Sequence, residues 1–129
     1  MKGFDMRALV TVLCLIATPA VAADQFDLTC KGRERPTAMS KWRPYEVRYR
    51  VDTSAKIYCR FTCEATETIT SVDGAKIVFA KGEQRAGAST IIHYVDRTDG
   101  KWVYFISGMA DAEGVCEVAP FSGFPNPKF

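Results

Sequence analysis

A single histidine, His93, is all the imidazole this 129-residue chain contains. A catalytic triad or a histidine-based metal site needs that residue type, and His93 has no serine or cysteine motif beside it. It sits between Ile92 and Tyr94 and reads as a strand histidine with a satisfied ring. No G-x-S-x-G, H-E-x-x-H, phosphate-binding or dinucleotide fingerprint occurs. Asp96, Asp99, Asp111, Glu113 and Glu117 fall in or near turns, where solvation accounts for them. Seventeen basic against fifteen acidic residues leaves a formal charge of only +2, no electrostatic footprint for nucleic acid. Helical periodicity, internal repeats and low-complexity tracts are also missing. These absences point away from an enzyme, and they call for no cofactor and no metal.

A long hydrophobic run is lacking too, and the one short run sits at the start. Lys2 and Arg7 precede an apolar stretch over residues 8–16, followed by the small residues Ala20, Val21, Ala22 and Ala23. That is the pattern of a cleaved secretory signal peptide over residues 1–23. The run is too short to stay in a bilayer as a spanning helix, so no membrane span is expected after cleavage. Leu13 before Cys14 does not suit a lipoprotein. The expected mature protein is one domain, residues 24–129, bound for the periplasm or for secretion. Its length allows one modest core, and domains of that size often need staples.

Four cysteines remain in that domain: Cys30, Cys59, Cys63 and Cys116. An even number in an exported chain reads as two disulfides, with three possible connectivities. A four-thiolate zinc site ordinarily shows two close pairs, and only Cys59 and Cys63 are close.

Alternation at period two dominates the rest. Tyr45, Val47, Tyr49 and Val51 fall on one side of an extended chain, with Glu46, Arg48, Arg50 and Asp52 on the other. Phe26, Leu28 and Cys30 alternate with Gln25, Asp27 and Thr29 in the same way. Residues 31–44 carry Gly32, Pro36 and Pro44 and read as a long basic loop anchored by Met39 and Trp42. Further strands are expected over 56–59, 66–72, 75–80, 89–97, 101–107 and 115–118. Asp73-Gly74 and Asp99-Gly100 mark hairpins. With Asp99-Gly100 as a two-residue turn, Val95 faces Tyr104, His93 faces Ile106 and Arg97 faces Trp102; a different register is the alternative. Residues 81–87 and 110–114 read as loops. The expected architecture is all-β, a small antiparallel barrel or sandwich of seven or eight strands. A closed barrel makes the first and last strands neighbours and brings the inward Cys30 and Cys116 together, leaving Cys59 to pair with Cys63.

Phe26-Asp27-Leu28-Thr29-Cys30, Tyr49-Arg50-Val51-Asp52, Tyr58-Cys59 with Cys63, and Cys116 through Pro120-Phe121-Ser122-Gly123-Phe124-Pro125 together resemble small uncharacterised exported proteins of proteobacteria. The resemblance spans most of the mature chain and implies export and a stapled β fold, but no activity. More loosely, a stapled exported barrel is similar in fold to the periplasmic inhibitors of c-type lysozyme, whose inhibitory loop motif has no counterpart here.

Charge is spread unevenly. Lys31, Arg33, Arg35, Lys41, Arg43, Arg48 and Arg50 face only Glu34 and Glu46 between residues 31 and 50. Arg33, Arg35, Arg48 and Arg50 are therefore the candidate patch for an anionic envelope component or an acidic protein, since guanidinium forks match phosphate and carboxylate. A solvated face neutralised by neighbouring acids is the plainer reading. Phe121, Phe124 and Phe129 in the proline-rich tail either plug a barrel end or form a partner-binding strip. The expected function is a non-catalytic exported binding module using the basic segment or the barrel mouth; the alternative is a proteinaceous inhibitor of an envelope-attacking enzyme such as a lysozyme. N-terminal sequencing of exported protein should begin at Ala23 or Asp24; a species retaining residues 1–22 would refute the leader.

Overall fold

In the computed structural model, the period-two alternation becomes nine antiparallel strands in one curled, barrel-like sheet. The structure describes residues 23–83 and 90–126, so the leader and Phe129 lie outside the described residues. The strands are β1 (Gln25–Arg35), β2 (Arg43–Asp52), β3 (Ile57–Arg60), β4 (Glu67–Thr68), β5 (Ser71–Val72), β6 (Lys76–Glu83), β7 (Thr90–Asp96), β8 (Lys101–Ile106) and β9 (Ala110–Ala119). Their order in the sheet is β4-β3-β2-β1-β9-β8-β7-β6-β5. The two edge strands are consecutive in the chain. Between them the Ile69 amide donates to Lys56 O (2.8 Å) at one edge and the Thr70 amide to Val78 O (2.9 Å) at the other. Residues 67–72 thus run from one edge of the curled sheet to the other, β4 pairing with β3 and β5 with β6.

First and last long strands are neighbours: Cys30 lies opposite Cys116 in the β1–β9 ladder, and the two are bridged. The second bridge joins Cys59 to Cys63. The loop closed by the first bridge spans 86 residues of separation, worth about 4–5 kcal/mol in the chain-entropy model.

Three segments expected as loops are strand at least in part: β1 runs on to Arg35, β6 continues to Glu83 in pairing with β7, and β9 begins at Ala110. Gly32 and Gly114 stand directly opposite each other in the β1–β9 ladder. An added Cβ on Gly32 would collide with Glu113 O, and one on Gly114 with Lys31 O. Glycine in these strands therefore marks close backbone approach, not a turn. The same pair stands between Trp102 on β8 and Tyr45 on β2. With no side chains between them, those two rings stack at 5.9 Å.

The β7–β8 hairpin keeps the expected faces but shifts the pairing by two residues: Val95 opposes Trp102, His93 opposes Tyr104 and Ile91 opposes Ile106. The turn is longer than a two-residue one. Gly100 takes φ +76° and its amide reaches Asp96 O (2.9 Å). At the β5–β6 turn Asp73 works through its side chain, Oδ1 accepting the amides of Ala75 and Lys76. A bulge between Val78 and Ala80 leaves Phe79 unpaired and turned into the core, the re-aiming that bulges produce. Met39 does not anchor anything; it is 95% exposed.

The glycine pair gives a test. Gly32→Ala or Gly114→Ala should cost about 3 kcal/mol in denaturant unfolding, at the upper end for overpacking. Gly74→Ala, with nothing near an added Cβ, should be nearly silent. Equal midpoints for all three would contradict the close β1–β9 contact.

Candidate functional site

The four arginines do not form one patch. Arg33 lies opposite Glu113 and Arg35 opposite Asp111 across β1–β9. Arg33 Nη2 reaches Glu113 Oε1 at 2.6 Å, and Arg35 Nη2 reaches Asp111 Oδ2 at 3.0 Å. Trp42 sits against both guanidinium groups, 4.3 and 4.6 Å from its ring centroid. Arg43 pairs with Glu34 at 3.0 Å. Arg48 is opposite Thr29, four positions along β1 from Arg33, or about 13 Å at strand rise. Asp111 and Glu113 were assigned to a solvated turn because β9 was started too late. Their spacing of two, matching that of Arg33 and Arg35, was the signal for paired strands.

Arg50 does not point to water. The C-terminal tail runs over the outer face of β1 and β2, where Arg50 Nη1 donates to Gly123 O (2.8 Å) and the Ser122 amide to Asp27 Oδ1 (3.2 Å). Asp27 is 5% exposed there, although it alternates with the inward Phe26 and Leu28. Phe121 and Phe124 meet edge to face at 5.1 Å within this strap. Over the described residues, the tail lies against the outside of the sheet at Asp27 and Arg50.

Inside the barrel, the aromatic side chains surround a polar chain of three. Trp102 Nε1 donates to Tyr49 Oη (3.0 Å), and Tyr49 Oη lies 2.8 Å from His93 Nε2. An indole N–H only donates, so Tyr49 Oη accepts from Trp102, and the imidazole tautomer sets which of Oη and Nε2 donates in the second bond. The ring packs against Phe79 at 4.8 Å and Tyr104 at 4.9 Å. Burial, with the Arg60 guanidinium adding to it, pushes the His93 pKa down to about 3. Burial raises Tyr49 well above the ordinary phenol range and takes Tyr58 to about 12. Burial among these rings thus favours the neutral form of the imidazole.

A cavity of about 430 Å³ opens where β9 outruns β8. The β8–β9 ladder stops at the Lys101–Val115 pair, and the Cys116 amide then bonds Gly100 O (2.8 Å). Residues beyond it pair with β1 alone. The cavity is lined along that seam by Phe26 and Leu28 on β1, Ile77 and Val95 on β6 and β7, and Cys116 and Val118 on β9, all of them buried except Val118. Asp96, Arg97 and Asp99 stand at the lip. Arg97 is held there, Nη1 donating to Asp73 O at 2.9 Å. Val118 is 72% exposed because no neighbouring strand covers it. Val118 shares a face with Cys116 by alternation, and its exposure follows from the unequal lengths of β8 and β9.

Among the described residues no group of three His, Cys, Asp or Glu side chains is arranged to hold a metal ion. No helix there is long and apolar enough to cross a membrane. No family model matches the chain, and neither the curated proteins nor the solved structures hold a significant match to it.

Neutral His93 has a consequence for stability. Its folded pKa lies below the model value of 6.5, so the unfolded chain takes the proton first. Stability is complete above about pH 6.5 and declines as pH falls toward 3. Between pH 7 and pH 5 the fold should lose about 2 kcal/mol. The carboxyls of Asp52, Asp73 and Asp96, held low by hydrogen bonds, titrate below that window. Urea unfolding of wild type and His93→Gln at both pH values checks this: the slope should flatten in the variant, and a flat wild type would refute it.

Proposed function

We propose that the chain is a non-catalytic binding module of the cell envelope, exported to the periplasm or secreted, that takes the apolar part of a small ligand into the mouth beside β9. The observation that carries this is the 430 Å³ cavity itself, which falls in the usual range for small-ligand sites and combines apolar walls with few polar groups at the lip. Two disulfides support an oxidising compartment, as does the leader-like sequence of residues 1–23. The basic face is the weaker alternative site, since three of its arginines are occupied by Glu113, Asp111 and Gly123. The inhibitor reading is supported by a different surface, the exposed stapled turn over residues 59–63.

Titration with 1-octanol and octanoate, followed through the methyl resonances of Leu28, Val95 and Val118, tests the mouth. Both should shift those methyls saturably. Val118→Glu, at an exposed position, should keep the fold and weaken octanol by about tenfold or more, roughly 1.4 kcal/mol. Absence of saturable shifts, or shifts centred elsewhere, would reject the mouth as the ligand site.

A further inference from the structure

Phe61 combines two features that folding alone does not explain. Its side chain is exposed, at 51%, and its φ is +52°. The left-handed region crowds Cβ against the next carbonyl, so a bulky residue is held there against its own preference. Several bonds do the holding. The Phe61 amide donates to Arg48 O and the Cys63 amide to Arg60 O, each at 2.9 Å. The Cys59–Cys63 bridge closes the turn, and Cys63, also left-handed at φ +58°, returns the chain to the core. Glycine or asparagine would make this turn without strain. Phenylalanine instead fixes an aromatic ring on a rigid tip in water. Backbone strain kept at an exposed position marks function more often than packing.

The neighbour of Phe61 across the β2–β3 ladder is Arg48. Tyr49 pairs with Arg60, and the Phe61 amide continues that ladder onto Arg48 O. Arg48 is exposed. Among the described residues no carboxylate pairs with it, whereas Arg33, Arg35, Arg43 and Arg60 each have one. Phe61 and Arg48 are thus backbone neighbours with exposed side chains, and aromatic residues and arginine are enriched at protein interfaces. A tip already rigid in the free protein also loses little entropy on docking.

We propose that Phe61 and Arg48 form a docking tip for a partner protein whose surface offers an apolar slot one ring wide, with a carboxylate at its rim. This stands independently of the ligand mouth beside β9, on the far side of β1 and β2 from this turn in the sheet order. The slot chemistry follows from the tip: a single convex ring needs a concave apolar receptor, and the guanidinium selects acid next to it.

Three measurements test it with the full exported chain. Phe61→Gly and Phe61→Ala both delete the ring, but only glycine relieves φ, so Phe61→Gly should unfold at the higher temperature of the two. β-Cyclodextrin carrying carboxylates on its rim mimics the slot, with plain β-cyclodextrin as the neutral comparator. The carboxylated ring should bind more tightly and shift the resonances of Phe61 and Arg48; Phe61→Gly should abolish both bindings, and Arg48→Glu should remove the preference for carboxylate. Cross-linking from Thr62 in envelope extract should then yield a protein that, once purified, binds wild type roughly tenfold more tightly than Phe61→Gly, about 1.4 kcal/mol. An alanine variant as stable as the glycine one, shifts centred away from the tip, or no protein passing that comparison overturns the proposal. A concentration-dependent dimer abolished by Phe61→Gly also overturns it, because the occupant would then be a second copy of this chain.

Discussion

The hydroxyl of Tyr49 accepts a hydrogen bond from the Trp102 indole and shares a second with His93 Nε2, and the polar groups of the interior meet at that single oxygen. The three residues come from β2, β8 and β7, so the contact spans the barrel and does not follow one ladder. Each partner would be costly alone: an indole N–H, a phenol and an imidazole nitrogen buried without partners each lose their hydration. Joined, they satisfy one another only in one set of ring orientations. Phe79 stacks on Tyr49 at 4.9 Å and lies tilted against the His93 ring at 4.8 Å, a position it takes where the bulge in β6 turns it inward. A polar chain inside an aromatic core thus selects one packing among several of similar apolar area.

Closure imposes a second constraint and generates the candidate site. The curled sheet brings β1 and β9 so close at Gly32 and Gly114 that side chains are excluded there. The same closeness lets Cys30 and Cys116 bridge, and the missing side chains let Tyr45 and Trp102 stack. The staple lies at the last point where β9 is flanked on both sides. Beyond Cys116 the strand continues with β1 alone, and the barrel wall is one strand short. The mouth is therefore a consequence of unequal strand lengths in a ladder that is otherwise tightly closed. Its apolar lining is made of buried core residues, with Val118 alone exposed at its edge.

Residue pattern alone made much of this legible. The alternation in residues 25–30 and 45–52, the faces of the β7–β8 hairpin and the inward placement of Cys30 and Cys116 follow from a period of two, and the disulfide pairing follows from closure. What pattern reading missed has a common physical origin. In residues 31–35 and 110–114 the inward positions include glycine, so the usual apolar signal is absent exposed-face charges notwithstanding, and strands look like loops. The two-residue shift at β7–β8 turns on Gly100 adopting a left-handed φ within a longer turn, a choice made by the hydrogen bond to Asp96 O and not by the Asp-Gly pair as such. The mouth was hidden for a different reason: it depends on where β8 ends relative to β9, and ends of strands carry little sequence signal.

Charge on the outer face shows how poorly a count of basic residues measures a binding surface. Seven basic residues between positions 31 and 50 look like a patch in the sequence, yet folding sets each in a different electrostatic setting. Arg33 and Arg35 meet acids in register and enclose Trp42. Arg50 goes under the tail, where Gly123 O takes one of its donors and its Nε is buried without a partner. Phe121 and Phe124 pack on each other within the same strap. Arg48, one pleat away on the same strand face, has neither acid nor strap. Two arginines two residues apart, indistinguishable by pattern, thus end with opposite roles: Arg50 secures the chain's own terminus, while Arg48 stays in water beside a strained aromatic. Available charge, not total charge, is what a partner can use.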